Sequence, residues 1–477
     1  MLSKAKKNIH FIGIKGVGMT ALAILAKEKG YEVTGSDVSD SFVTDEYLAK
    51  EGIEVTDFDP GNIKEKLDSV IISAAYDKEN VEVKEAKKKH LDMKTYSEAL
   101  AFFAQDYQTI AVAGIHGKTT TTALISFLLT RANLDPSFVI GAGNIASLGS
   151  SGHAGTGDYF VLEADEYRKS PEDSSPKFFD LKPGIEIITS IEMDHPDIFP
   201  SLENVYNCFY KFACRLPRKG FIVLCSDYPK TKKLQRSLVD RTIETYGFQD
   251  GASWQIIEFR QDIVETTFNL RHEEKIIGPF KLKIPGVMNA LNATAAIVTC
   301  LKLGVEEKLI KKYLSQFSGI KRRWEIIGQI NGLTIIDDYA HHPRSIALTL
   351  ETARKNYPEA KIWCIFQPHT FSRTKELLKD FSVSFKDADK VIITDIYSSA
   401  RETEATISGQ DLANAIHLHQ RNVRFISDWS KIIKEIADSA TGQNLIITMG
   451  AGDIYKLGEK LFQRLKKNGE ADEKNAN

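Results

Sequence analysis

The segment GIHGKTTTT, Gly114 to Thr122, constrains this chain more than any other. It directly follows an apolar strand pattern, TIAVAG from Thr109, and directly precedes a helical one, ALISFLLTRA. Glycines at a strand-to-helix turn let backbone N–H groups curl around an anion, and the helix start adds the positive end of its dipole. Lys118 then reaches terminal phosphates, and Thr119 is placed to coordinate magnesium. A full phosphate-loop pattern has glycine where Val112 stands, so this is a compact variant. ATP with magnesium is the expected ligand pair, held by Gly114, His116, Gly117, Lys118, Thr119 and Thr120. The plain alternative is a glycine turn with an incidental lysine.

The same alternation recurs on both sides. Asn8 to Asp37 reads as strand (IHFIGI), glycine turn (GVGM), helix (TALAILAKEKG) and strand (YEVTGSD). From Leu333 it restarts with LTIIDDY, SIALTLETARKNY, KIWCIFQP, KVIITDIY and LIITMGAGD. A chain of 477 residues also exceeds what one core usually serves. The expected fold is α/β in three domains: Rossmann-like over 1–106, a central ATP-binding domain with a mainly parallel sheet over 107–318, and Rossmann-like again over 319–477. FSGIKRRWE reads as a hinge, and the charged tail KKNGEADEKNAN as a frayed terminus.

Two acidic segments end strands of the central region, where α/β sheets place their ligands. In EADEY, Glu163 is the candidate magnesium ligand, with Asp165 and Glu166 as alternatives. In EMDHP, Asp194 and His195 stand at a similar edge, and His195 is a candidate for a second magnesium. Against these stand an acidic turn that only solvates a strand end and a structural histidine.

A formal charge of -2 gives no basic field for nucleic acid and no cationic face for a membrane. No apolar run approaches the roughly 18 residues of a spanning helix, and no cleavage site follows MLSKAKKNIHFIGI. Cys208, Cys214, Cys225, Cys300 and Cys364 have neither metal-ligand spacing nor a tight disulfide framework. The expectation is a cytoplasmic enzyme of small molecules, monomeric or weakly dimeric.

These residues, in this order, resemble the Mur ligases of peptidoglycan synthesis. The resemblance runs nearly end to end: HFIGIKGVGM and GSD, then AGIHGKTTTT, EADE, DHPD and NALNA, then KRRWE, DDYAHHP, FQPHTFSRT, TDIY and MGAGD. It implies an ATP-dependent amide-forming ligase that activates a carboxylate as an acyl phosphate. A first domain would hold a UDP-sugar, a central domain ATP, and a third the amino acid, closing over the nucleotide. Gly16 and Gly18 would approach the substrate diphosphate, and Asp37 the uridine side. Lys118 would hold phosphates, Thr119 and Glu163 one magnesium and His195 the second. Asn289 and Asn292 would read the adenine, Arg323 the γ-phosphate and Asp338 the nucleotide. Tyr339, His341, His369 and Arg373 would shape the amino-acid pocket, and Lys118, His195, Arg323 and His341 form the candidate catalytic set.

FQPH and MGAGD favour the branch that adds L-alanine to UDP-N-acetylmuramate, whereas the extended stretch YRKSPEDSSPKFFDLKPG looks more like the branch that recycles whole peptides. Lys15, Met288 and Thr370 depart from residues common in the family. Two readings of other classes compete. A dinucleotide-linked dehydrogenase would want glycine at Lys15 and has no use for GKTTTT. A nucleotide-regulated binding protein would leave Arg323 and DDYAHHP as shielded polar turns.

Overall fold

A computed structural model describes residues 7–475, apart from 144, 264, 399–401, 403, 404, 440 and 441. The described chain forms two compact units. The first comprises residues through Arg260, Thr267–Lys283 and Asn289–Ser318, and the second Gln261–Thr266, Ile284–Met288 and residues from Gly319 onward.

The first unit carries two sheets. One has five parallel strands in the order Glu54–Thr56, Glu32–Ser36, Asn8–Ile12, Ser69–Ile72, Asp92–Thr95. Its central strand, NIHFI, is buried from Ile9 to Ile12, as expected of a parallel strand covered by helices on both faces. Buried His10 is accommodated because Thr34 Oγ1 lies 2.9 Å from Nδ1 and Glu82 Oε2 lies 3.4 Å from Nε2. Strand order reverses beside Asn8–Ile12, so the glycine turn that follows it lies where doubly wound sheets bind ligands.

The other sheet has ten strands, with Gln108–Ala113 between Tyr159–Glu163 and Ile185–Ile188, all three parallel. The register sets Val112 beside Glu163 and Ala113 beside Ile188. The Glu163 carboxylate therefore leaves its strand next to the start of the glycine turn. Strands Trp254–Gln261, Thr266–His272 and Lys275–Leu282 extend one side of this sheet. No element is predicted there, since charges interrupt the apolar alternation and the turn before Lys275 is Glu273–Glu274, without glycine or asparagine.

The second unit holds six strands in the order Glu325–Ile330, Leu333–Asp338, Asn444–Met449, Lys361–Phe366, Lys390–Ile393, Val423–Phe425. The first pair is antiparallel and the rest parallel. Ile335, Trp363, Ile365, Ile392 and Ile446 pack there against Ile432, Ile436, Leu457 and Leu461 from two helices.

The α/β class with mainly parallel sheets is thus as expected, and two local readings are corrected. The tail does not fray at Lys466: the last helix runs Tyr455–Asn475. Leu457, Leu461 and Leu465 dock its first turns. EMDHP does not end a strand, because Ile185–Ile188 stops several residues earlier. The chain then turns at Thr189 and Ser190 to support the glycine turn.

Candidate active site

The Gln108–Ala113 strand is buried from Thr109 onward and delivers the chain to Gly114, whose φ is +129°. A Cβ there would lie 2.1 Å from Thr189 Oγ1. At Gly117, φ is +81° and a Cβ would lie 2.2 Å from Asn292 Oδ1. Both glycines are therefore required by conformation and by space. The turn hangs from the neighbouring chain: His116 N donates to Ser190 Oγ at 2.9 Å and Thr189 Oγ1 donates to the His116 carbonyl. His116 Nε2 lies 3.1 Å from Glu192 Oε2. The helix Lys118–Arg131 starts without a side-chain cap, which leaves its first amides directed at the turn as an anion site. Thr119 and Thr120 in its first turn are buried.

Charges gather at this helix start in two pairs. Lys118 Nζ donates to the Gly114 carbonyl at 2.7 Å and to Glu166 at 2.9 and 3.2 Å. Burial alone would depress the lysine, but Glu166, Asp165 and Glu163 hold it above the ordinary value. Burial likewise opposes ionisation of Glu166, and Lys118 and His195 outweigh it. Burial opposes ionisation of Asp165 too, yet Lys177, 2.7 Å away, and Lys118 keep it far below the usual carboxylate range. His195 Nε2 stands 3.5 Å from Glu166 Oε1 and 3.7 Å from Asp194 Oδ2, with φ at +54°. Lys118 and His195 thus converge on Glu166. In the second pair, Thr119 Oγ1 donates to Glu163 Oε2 at 3.1 Å, and Gly141 N anchors the other carboxylate oxygen at 2.6 Å.

The second pair suits magnesium, a hard cation that takes few protein oxygens and completes its shell with phosphate and water. Among the described residues no group of three His, Cys, Asp or Glu side chains could hold a metal by itself. A cation here would accordingly depend on the nucleotide for ligands.

Asn292 is buried on the helix Val287–Lys302 and lies against Gly117, with Thr121 Oγ1 3.4 Å from its Oδ1. Asn289 is half-buried one turn earlier. At the five-stranded sheet, Asp37 is buried and accepts from Lys15 N at 2.7 Å, Val38 N at 2.9 Å and Tyr76 OH at 2.7 Å. It borders a cleft of about 320 Å³ that Ile53, Val55 and Thr56 also line. The Lys15 ammonium is drawn to the carbonyls of Val38 and Asp40, at 2.9 Å each, so its charge serves the turn. Gly16 caps the helix Val17–Glu28, and a Cβ on Gly18 would lie 3.0 Å from Tyr96 OH. The conformational demand falls on Gly13, which sequence reasoning did not single out: its φ is +82° and a Cβ would meet the Tyr76 ring at 2.5 Å. Its place directly after an apolar strand was the available signal.

In the second unit, Asp338 ends a central strand and accepts from Trp324 N at 2.9 Å and Ala340 N at 2.8 Å. Burial raises its pKa despite the opposing charge of Arg323. Arg322, the neighbour not singled out, is structural: it donates to Asp337 at 3.1 Å and to the Gly450 carbonyl at 2.7 Å. Arg323 lies 4.7 Å over the Tyr339 ring, where Arg322 also stands at 5.0 Å, but it shares neither the Asp337 nor the Gly450 bond. Tyr339, His341, His369 and Arg373 form one cluster. The Tyr339 and His341 rings are 5.4 Å apart, those of His341 and His369 6.2 Å, and Arg373 Nη1 lies 3.2 Å from His369 Nδ1. Since arginine only donates, His369 Nδ1 accepts and its proton sits on Nε2.

The chain is similar to known proteins along nearly its whole length. Residues 8–108 match the Mur ligase family catalytic domain, 112–300 the Mur ligase middle domain, and 322–452 the Mur ligase glutamate ligase domain. The UDP-N-acetylmuramate--L-alanine ligase of Caldanaerobacter subterraneus subsp. tengcongensis is 40% identical over 97% of this chain and 98% of its own length. That of Desulfitobacterium hafniense is 40% identical over 95% and 99%. Among solved structures, the UDP-N-acetylmuramate-alanine ligase MurC of Thermotoga maritima superposes with a TM-score of 0.81 at 26% identity, covering 97% of this chain and 99% of that one. A murein peptide ligase of Psychrobacter arcticus gives 0.72 at 25% identity, covering 97% and 98%.

Proposed function

The chain belongs to the Mur ligase family, and from that premise we propose that it joins L-alanine to the carboxylate of UDP-N-acetylmuramate with ATP as phosphoryl donor, in peptidoglycan precursor synthesis. The observation that carries the reading is the adjacency of Lys118–Glu166 and Thr119–Glu163 at the start of one uncapped helix. A lysine, a hydroxyl, a carboxylate and open amides at that point suit a nucleotide's terminal phosphates.

A carboxylate is a poor electrophile, so activation comes first. A carboxylate oxygen of the sugar nucleotide takes the γ-phosphoryl group and ADP leaves. The uncharged alanine nitrogen then attacks the acyl carbon, phosphate departs, and the nitrogen loses its proton to solvent as the amide forms. The protein's share is position and charge. Lys118 and Arg323 neutralise the transferring group, and the first amides of Lys118–Arg131 orient it. Thr119 and Glu163 would hold one magnesium and His195 a second. Bound magnesium would add charge neutralisation and Lewis-acid polarisation. Asn289, Asn292 and Asp338 are assigned to the nucleotide, Gly16, Gly18 and Asp37 to the sugar nucleotide, and Tyr339, His341, His369 and Arg373 to the amine. The assignment divides the chain into domains at 1–106, 107–318 and 319–477.

No helix among the described residues is long and apolar enough to cross a membrane, and none of the five cysteines is in a disulfide. Unbridged thiols suit a reducing cytoplasm, and we assign the protein to that compartment as a monomer or weak homodimer. The extended stretch after EADE has a packing role that needs no peptide substrate: Phe178 is fully buried with its ring 4.1 Å from that of Phe212, and Lys169 ion-pairs with Asp180 at 2.5 Å. L-alanine therefore remains the assigned amine. Phosphate release from ATP tests the reaction class. It should require the sugar nucleotide and L-alanine together, and release at full rate without either would exclude ligation.

A further inference from the structure

The segment His369–Arg373 carries two residues assigned above to the amine, and its backbone is strained. Thr370 has φ +68°, a region β-branched residues rarely enter. Two hydrogen bonds and a ring stack with a later segment hold it there. Thr370 N donates to the Tyr397 carbonyl at 3.0 Å and Tyr397 N donates to the Pro368 carbonyl at 2.8 Å, while the His369 and Tyr397 rings stack at 5.7 Å and 17°. Glu402, farther along, turns its carboxylate onto the next two residues. Ser372 N donates to Oε1 at 3.2 Å, and Phe371 N and Ser372 Oγ also donate to this carboxylate. These two amides lie between strained Thr370 and buried Arg373.

We propose that Glu402 is a positioning residue for the amino-acid substrate. By accepting from Phe371 and Ser372 it holds Thr370 in its positive-φ conformation, and so sets the spacing of His369 and Arg373. The inference rests on the reading of His369 and Arg373 as amine-pocket residues. An ionised carboxylate suits the task because its two oxygens serve two amides and a hydroxyl at once. Glutamine keeps one acceptor oxygen and sets an NH2 against an amide donor, so it should do the task in part.

The test compares KM for L-alanine, ATP and UDP-N-acetylmuramate in Glu402→Ala, Glu402→Gln and Arg373→Ala, with thermal melts to verify folding. Glu402→Ala should raise the KM for L-alanine by ~10-fold or more and leave that for ATP unchanged, with Glu402→Gln in between. If Glu402→Ala melts unlike the parent, Glu402→Gln alone decides. An unchanged L-alanine KM in the Glu402 variants beside a raised one in Arg373→Ala would overturn the proposal, as would a proportional rise for ATP. If Arg373→Ala also leaves L-alanine unaffected, the pocket reading itself is wrong and the positioning role falls with it.

Discussion

Lys118 donates to both carboxylate oxygens of Glu166, which is 1% exposed, so the lysine assigned to phosphate is also the main partner of a buried acid. Removing it does two separable things.

Lys118→Ala should lower ligation at least ~100-fold through loss of a central charge contact. It should also cost about 3 to 5 kcal/mol of stability, because Glu166 is left buried beside His195 alone. The double variant Lys118→Ala/Glu166→Gln should regain stability in denaturant titration without regaining rate. Near-normal turnover in a folded Lys118→Ala protein would remove the phosphate-loop assignment.

The two glutamates should separate in magnesium titrations. Glu163 faces the Thr119 hydroxyl, whereas Glu166 is engaged by Lys118 and His195. Glu163→Gln should raise the magnesium requirement by at least about 10-fold, the scale on which metal sites respond to lost partners. Glu166→Gln should change it far less. If excess magnesium rescues only the Glu166 variant, the roles are reversed.

Glu186, in the middle of a central strand, makes stability depend on pH. It is fully buried, and neither carboxylate oxygen has a hydrogen-bond partner among the described residues. Burial raises its pKa well above the ordinary value, opposed only by Arg241. The folded state therefore keeps a proton that the unfolded state releases. That stability is fully present below the ordinary carboxyl pKa and is lost as pH rises toward the raised one, by about 1.4 kcal/mol per pH unit at most. Unfolding midpoints between pH 5 and 8 should fall with pH in the parent and less steeply in Glu186→Gln. Parallel slopes would mean that Glu186 is ionised and paired when folded.

What the sequence made legible was local. GKTTTT after TIAVAG specified strand, turn and helix, because glycine, lysine and the flanking periodicities act over a few residues. The contact between Gly117 and Asn292 was not legible as a reason for that glycine, since it joins distant helices and only tertiary packing brings them together. The same holds for Glu402 and Phe371, and for the division of labour between Arg322 and Arg323, adjacent residues of one type. His195, expected at a strand end, lies instead beyond it: the strand stops at Ile188 and a loop carries the histidine to Glu166.

The amine assignment admits the most direct test. With Tyr339, His341, His369 and Arg373 proposed to hold the amine, size selection of about 1 to 3 kcal/mol per methylene would make glycine and L-serine slower substrates rather than excluded ones. Purified protein with ATP, magnesium and UDP-N-acetylmuramate should be given equal concentrations of free L-alanine and a free tripeptide that begins with L-alanine, and the product mass measured. The account predicts one dominant product, heavier than the sugar nucleotide by a single alanyl group. A product carrying the whole tripeptide, with free L-alanine untouched, would contradict it.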